Sequence, residues 1–123
     1  MRIMASRILI VEDNELNLKL FCDLLRAHHF DVEPVRDGRG MIARAHSFMP
    51  DLIIMDIQLP HISGLELIGQ IRKTKELCHI PIMAVTAYAA PEDEQKIRQA
   101  GATGYIAKPI SVVRFLEAVK TLI

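Results

Sequence analysis

The chain has 123 residues, a length typical of one domain, and half of them are hydrophobic, enough for a sizeable core. Its 15 Lys and Arg balance 15 Asp and Glu, so it lacks the basic excess that is usual in nucleic-acid binders. No apolar run approaches the ~20 residues that span a membrane, and the amino terminus is too polar for a signal peptide; we expect a cytosolic protein without membrane insertion.

The first half of the chain alternates short apolar runs with segments of helical periodicity. Asn14 is a suitable N-cap for a helix over 15–28, and Asp37-Gly38 marks a turn. Strands are predicted over 8–11, 31–35 and 52–55. The apolar faces of the two predicted helices consist of Leu16, Leu20, Phe21, Leu24 and Leu25, and of Met41, Ile42, Ala45 and Phe48.

The second half of the chain repeats this alternation. Ser63 and Glu66 form a capping-box signature for a third helix, Pro91 opens a fourth over 92–100, and Gly101 ends it. Strands are predicted over 80–85 and 105–107. The apolar faces of the third and fifth helices consist of Leu65, Ile68 and Ile71, and of Val112, Leu116, Val119 and Ile123.

The predicted elements follow the order strand–helix five times. Because the strands are apolar throughout rather than alternating, both faces of the sheet must be covered, which is typical of parallel sheets. Right-handed crossovers then give a doubly wound α/β fold. The functional crevice of such folds lies at the carboxyl ends of the strands, so polar residues at those ends are the candidates for a site.

Acidic residues follow two of the predicted strands: Glu12-Asp13 after the first and Asp56 after the third. Carboxylates in one crevice repel each other unless a cation shares the site. Mg²⁺ typically takes one or two carboxylates and keeps positions open for phosphate oxygens, so this arrangement indicates a magnesium-dependent phosphate site. A polar turn that caps the next helix is the alternative for Glu12-Asp13.

Asp56 is the candidate nucleophile, since a carboxylate can form an acyl phosphate. Lys108 offers a point charge to a phosphate oxygen, and Thr86 offers a hydroxyl donor. A different phosphotransfer family places an acid two residues after its nucleophile, where this chain has Gln58. The Lys108-Pro109 bond is a candidate for the cis form, which would aim the lysine inward.

Separated stretches of the chain, at 8–14, 50–60, 84–87 and 105–109, resemble the receiver domains of two-component response regulators. The resemblance implies a receiver over 7–123 after an extension at 1–6, with a flavodoxin-like (βα)5 fold of strand order 2-1-3-4-5. The stretches 11–17, 56–65 and 108–116 further resemble single-domain receivers that regulate cell division in alphaproteobacteria by binding cell-cycle histidine kinases.

The resemblance also implies roles for individual residues. Asp56 would be the phosphoacceptor, and Thr86 and Lys108 would contact the phosphoryl group. Tyr105 would be a switch residue that moves inward as Thr86 is drawn toward the phosphate. Mg²⁺, for which Mn²⁺ can substitute, would be held by Asp13, Asp56, the backbone carbonyl of Gln58 and, through water, Glu12.

By this resemblance the chain is a monomeric signalling protein rather than a conventional enzyme, and its partners are histidine kinases, phosphatases or phosphotransfer proteins. Since the chain ends at the last helix, we expect a protein-binding face on the fourth helix, fifth strand and fifth helix as its output. The predicted contact residues are Glu94, Arg98, Tyr105 and Arg114. Gln58 and Tyr88 would border the water that hydrolyses the acyl phosphate and thereby set its lifetime.

Two other functions are compatible with the α/β pattern. An interaction domain that never carries phosphate would show no magnesium-dependent labelling by acetyl phosphate. A flavin mononucleotide carrier would need a loop rich in Ser, Thr and Gly where this chain has Glu12-Asp-Asn-Glu15. Cys22 and Cys78 are expected to be reduced, partly buried thiols.

Overall fold

The computed structural model describes residues 5–88 and 90–123 of the chain. Within these residues the strands are β1 (Arg7–Val11), β2 (Asp31–Val35), β3 (Leu52–Asp56), β4 (Ile82–Thr86) and β5 (Gly104–Ala107). The α-helices are α1 (Glu15–Ala27), α2 (Met41–Phe48), α3 (Gly64–Lys73), α4 (Pro91–Ala100) and α5 (Val112–Leu122), with a 3₁₀ turn at Gly38–Gly40. Neighbouring strands pair in parallel in the order β2-β1-β3-β4-β5, which confirms the predicted doubly wound topology.

The sheet separates two apolar layers, because successive side chains of a strand point to opposite faces. In β1, Ile8 belongs to the layer that contains the buried residues of α1 and α5, whereas Leu9 belongs to the layer that contains those of α2, α3 and α4. The rings of Phe21 and Phe115 stack with centroids 5.1 Å apart and connect α1 to α5. Burial on both faces is the physical reason why the strands are apolar without alternation.

The predicted start of α1 is confirmed, but part of its predicted buried face is wrong. Asn14 caps the helix by accepting from the Asn17 N–H at 2.9 Å. Leu16 and Leu20 are exposed, at 77% and 57%, and the helix instead buries Leu18, Phe21, Cys22 and Leu25. These four positions form their own i, i+3, i+4, i+7 stripe, and its packing against the sheet turns Leu16 and Leu20 outward.

The fifth helix shows a smaller departure at its ends. Phe115 and Val119 are its buried residues, while the predicted core residues Val112 and Ile123 are 48% and 43% exposed. Val112 is the first residue of the helix and Ile123 is its C-cap, so both lie at its limits. The first turn of α5 therefore carries exposed apolar surface.

Other expectations have mixed outcomes. The Lys108-Pro109 bond, the candidate for the cis form, is cis. Both cysteines are free thiols; Cys22 is buried, but Cys78 is exposed, so the expectation of partial burial is wrong for Cys78. Among the described residues, none of the helices combines the length and the apolar character needed to cross a bilayer. Most of the predicted extension at 1–6 lies outside the described residues.

Candidate functional site

Three carboxyl groups meet at the carboxyl edge of the sheet. Glu12 follows β1 directly, Asp13 is next to it, and Asp56 is the last residue of β3, the central strand. One carboxylate oxygen from each lies within 4.8 Å of the others. Glu12 and Asp56 are each only 2% exposed, whereas Asp13 is half-buried. The predicted gathering of acids is present in the structure.

Lys108 reaches this cluster from the end of β5. Its Nζ lies 3.2 Å from Asp56 Oδ2 and 3.6 Å from Glu12 Oε1. Glu12 Oε2 accepts from the Asn14 N–H at 3.1 Å, but Glu12 Oε1 is buried without a hydrogen-bond partner among the described residues. Within residues 5–88 and 90–123, one ammonium faces three carboxyl groups, which leaves negative charge uncompensated.

The crowding affects the ionisation of Glu12. Burial, followed by hydrogen bonding to Asp56 and its negative charge, raises the Glu12 pKa from 4.5 to about 7. The Asn14 N–H and the Lys108 ammonium oppose this change but do not cancel it. A buried carboxyl whose charged form is disfavoured and whose oxygen is unpartnered suits a site that gains a cation.

The donor set fits a hard divalent cation. All three groups provide oxygen, and histidine and cysteine are absent from the cluster. Oxygen ligands are those that Mg²⁺ and Mn²⁺ accept, and a partly filled shell leaves room for phosphate oxygens. The unpartnered Glu12 Oε1 and the surplus negative charge are the observations that support a metal here.

The position of Asp56 depends on a loop that passes very close to it. The Gln58 N–H donates to Asp56 Oδ1 at 3.0 Å, and the Gly64 N–H donates to the Ile57 carbonyl at 3.0 Å. A Cβ on Gly64 would overlap the Asp56 carbonyl and lie 2.7 Å from Ile57 Cα. Glycine is therefore required at position 64, a role that sequence reasoning missed because only Ser63 beside it carried a capping signal.

Thr86 lies beside Asp56, one residue beyond the register pair Asp56–Val85, and it is fully buried. Its Oγ1 accepts from the Tyr88 N–H at 3.0 Å, which leaves its own proton available for another acceptor. Tyr105, half-buried on β5, donates through its hydroxyl to the Tyr88 carbonyl at 2.8 Å. A continuous hydrogen-bonded path thus links Thr86 to Tyr105 through the loop after β4.

The residues predicted to form a partner face lie on α4, β5 and α5. Glu94 and Arg98 pair with each other at 2.8 Å, and Arg98 also donates to the Thr103 carbonyl at 3.2 Å. Arg114 is exposed at the first turn of α5. Tyr105 and Arg114 line one shallow groove and Glu94 and Arg98 line another, with Glu94 and Arg98 engaged in an intramolecular pair.

Sequence reasoning missed an apolar surface beside the site. The exposed Leu16 and Leu20 are one helical turn apart on α1. Leu20 also lines a groove together with Asn17, Phe21, Lys108, Pro109 and Ile110. Because Lys108 contacts Asp56, this groove reaches the edge of the acidic cluster. The sequence signals this surface only through the number of leucines in α1, which is larger than one buried stripe can hold.

Comparisons with known proteins agree with both resemblances drawn from the sequence. A family model described as the response regulator receiver domain matches residues 8–120. The polar-differentiation response regulator DivK of Brucella ovis is 50% identical over 118 residues, 96% of each chain. Chemotaxis response regulator CheY4 of Vibrio cholerae is 27% identical with a TM-score of 0.92, covering 98% of this chain and 100% of that one. The receiver domain of sensor histidine kinase PA1611 from Pseudomonas aeruginosa, solved with magnesium in its active site cleft, is 31% identical with a TM-score of 0.87, over 96% and 97%.

Proposed function

The chain belongs to the response regulator receiver domain family, and we propose that it accepts a phosphoryl group on Asp56 from a histidine kinase or phosphotransfer protein. The observation that carries the proposal is the contact of Lys108 Nζ with Asp56 Oδ2 at 3.2 Å inside a cluster of three carboxyl groups. A nucleophilic carboxylate, a fixed cation and an oxygen-rich metal site are the components that phosphoryl transfer to an acid requires.

The metal site of this proposal consists of Asp13, Asp56, the Gln58 carbonyl and, through water, Glu12. Bound Mg²⁺ or Mn²⁺ would neutralise negative charge and orient the phosphoryl oxygens. The magnesium in the active site cleft of the PA1611 receiver supports the choice of ion. Glu12 Oε1, which lies 3.6 Å from Lys108 Nζ and has no hydrogen-bond donor among the described residues, is an acceptor for a metal-bound water in this proposal.

In the proposed transfer, an Asp56 carboxylate oxygen attacks the phosphorus of a phosphohistidine. The new O–P bond forms as the P–N bond breaks, and the electron pair stays on the imidazole nitrogen, which then takes up a proton. Lys108 stabilises a phosphoryl oxygen through its charge, and Thr86 donates its free hydroxyl proton to another. The residues mainly provide position and charge, which is what this chemistry demands.

The output of the proposed switch is the face that carries Glu94, Arg98, Tyr105 and Arg114. Movement of Thr86 toward a phosphoryl group would pass through the Tyr88 backbone to the Tyr105 hydroxyl. A phosphoryl group that favours one arrangement of this path shifts the population of the whole face. By its similarity to DivK of Brucella ovis, we propose that the partners are kinases that control polar differentiation and cell division.

The direct test is labelling of the purified chain by acetyl phosphate and by a phosphorylated histidine kinase, each with and without Mg²⁺. We expect one acid-stable, base-labile phosphoryl group per chain, formed only with the metal present. Absence of label from both donors would refute the proposed function and favour an interaction domain that carries no phosphate.

The Glu12 pKa of about 7 predicts a pH-dependent stability of the metal-free protein. The unfolded chain loses the Glu12 proton near pH 4.5, whereas the folded chain keeps it to about pH 7, so the folded state binds more protons in between. The free energy of unfolding therefore decreases as pH rises from 4.5 to 7. Urea denaturation across this range should show the decrease.

Two controls isolate the contribution of Glu12. Glu12→Gln should flatten the pH dependence over the same range, because the amide does not titrate. Saturating Mg²⁺ should also reduce the loss, since the cation stabilises the ionised carboxylates and its affinity rises with pH. A wild-type curve that is flat, or that rises, from pH 4.5 to 7 would contradict the prediction.

The apolar surface on α1 predicts the docking site of the phosphodonor protein. A donor histidine must come within bonding distance of Asp56, so we expect its protein to contact the surface next to Lys108. Leu20 lines the groove there, and Leu16 is exposed one turn away on α1. The double variant Leu16→Gln, Leu20→Gln should slow phosphotransfer from a histidine kinase by about tenfold or more, since burial of each leucine is worth roughly 1.5–3 kcal/mol.

The same variant should be labelled by acetyl phosphate at the wild-type rate, because the small donor needs no docking surface. Ile123→Gln, which also replaces an exposed aliphatic side chain, is the matched control and should leave both reactions unchanged. Equal slowing with both donors would mean that the leucines act on the site itself and would refute a docking role.

A further inference from the structure

The side chain of Gln58 connects two loops that border the phosphoacceptor. Its backbone N–H donates to Asp56 Oδ1 at 3.0 Å, and its side-chain Oε1 accepts from the Ala87 N–H at 3.1 Å. Ala87 directly follows the buried Thr86, the residue with a hydroxyl proton available for phosphate. One half-buried residue therefore joins the nucleophile to the backbone donor next to Thr86.

We propose that the Gln58 side chain is a placeholder acceptor, which satisfies the Ala87 N–H until a phosphoryl oxygen on Asp56 replaces it. The inference rests on the proposed phosphorylation of Asp56 and makes Gln58 a positioning residue. The Ala87 N–H makes a hydrogen bond in both states of the protein, and because Ala87 is exposed, water is the acceptor that would remain without the carboxamide. The carboxamide provides the acceptor when no phosphoryl group is present.

Energetics favour this exchange once Asp56 is phosphorylated. A hydrogen bond to an ionised oxygen is roughly twice as strong as one to a neutral amide, so a phosphoryl oxygen outcompetes Gln58 for the N–H. The loop does not need to unfold for the exchange, because other contacts hold it. The Lys108 N–H donates to the Thr86 carbonyl at 2.7 Å, and the Tyr88 N–H donates to Thr86 Oγ1 at 3.0 Å.

The placeholder therefore stabilises the unphosphorylated state, and its removal should favour the phosphorylated one. Beryllofluoride with Mg²⁺, a phosphoryl analogue, measures this preference in the full chain. Gln58→Met, which keeps the size and loses the acceptor, should bind the analogue about three- to tenfold more tightly, the range for one neutral hydrogen bond. Gln58→Glu, which keeps an acceptor and adds a negative charge, should bind it more weakly. Gln70→Met, an exposed replacement on α3, should match the wild type.

The Ala87 amide gives a second readout that does not depend on affinity. In ¹⁵N spectra without the analogue, Gln58→Met should shift the Ala87 signal upfield and speed its hydrogen exchange. With the analogue bound, the Ala87 signals of wild type and Gln58→Met should coincide, because the acceptor is then the same. Unchanged or weaker binding by Gln58→Met, or an Ala87 signal that the analogue leaves in place, would overturn the placeholder role. No binding by the wild type would overturn the proposed function as well, which separates the two failures.

Discussion

Asp56→Asn is expected to abolish magnesium-dependent labelling by acetyl phosphate and by histidine kinases while making the metal-free protein more stable. The amide cannot form an acyl phosphate, and we expect no other residue of the cluster to replace the lost nucleophile. The two effects have opposite signs because the carboxylate that is proposed to accept the phosphoryl group lies buried against Glu12. Functional groups held at a cost in stability are a common property of sites.

The gain in stability of Asp56→Asn follows from the charges that remain in the cluster. At pH 8 the buried pair of Glu12 and Asp56 faces one ammonium, that of Lys108; the substitution leaves one carboxylate with one ammonium. We expect the free energy of unfolding to rise by about 1–2 kcal/mol, a range set by the repulsion of two partly compensated buried carboxylates. At pH 5 the gain should shrink, because Glu12 is then protonated in the folded protein.

Asp31→Asn is the matched control for these measurements. Asp31 is an exposed aspartate at the opposite end of its strand from the site, so its replacement should change neither labelling nor stability. Residual label on Asp56→Asn would show that a different residue accepts the phosphoryl group. A loss of stability at pH 8 would show that Asp56 contributes favourable interactions that outweigh its repulsion with Glu12.

The location of the site could be predicted because it depends on strand ends. Each β-strand has a recognisable apolar run, and the parallel topology places the residue after each run at one edge. Glu12, Asp56, Thr86 and Lys108 all follow such runs, so their convergence required no knowledge of loop geometry. The expectation of a cation followed from charge repulsion between the carboxylates.

Contacts made by loops were beyond sequence reasoning. The bond between Gln58 and Ala87 joins residues 29 positions apart and depends on the paths of two loops. The close approach of Gly64 to Asp56 is likewise visible only in three dimensions. Helix α1 shows a different limit: it carries two overlapping apolar stripes, and packing against the sheet and Phe115 decides which one is buried.

Lys108→Met is expected to separate phosphoryl recognition from metal binding. The ammonium lies 3.2 Å from Asp56 Oδ2, where it meets a phosphoryl oxygen in the proposed mechanism. Loss of a hydrogen bond to a charged group should weaken binding of beryllofluoride by roughly ten- to a hundredfold. Affinity for Mg²⁺ should stay the same or increase, because the substitution removes a positive charge that repels the cation. A binding titration with Mg²⁺ alone, followed by one with beryllofluoride, measures both quantities on the same sample.

Lys120→Met on the exposed side of α5 is the control, since it removes the same charge far from the acids and should leave both affinities unchanged. Lys108→Met also leaves Glu12 and Asp56 without their shared ammonium. This variant without metal should therefore be less stable than wild type at pH 8, and its stability should be closer to that of wild type at pH 5, where Glu12 is neutral. Parallel losses of Mg²⁺ and beryllofluoride affinity would contradict this assignment, because they would mean that Lys108 maintains the fold of the cluster instead of contacting the phosphoryl group.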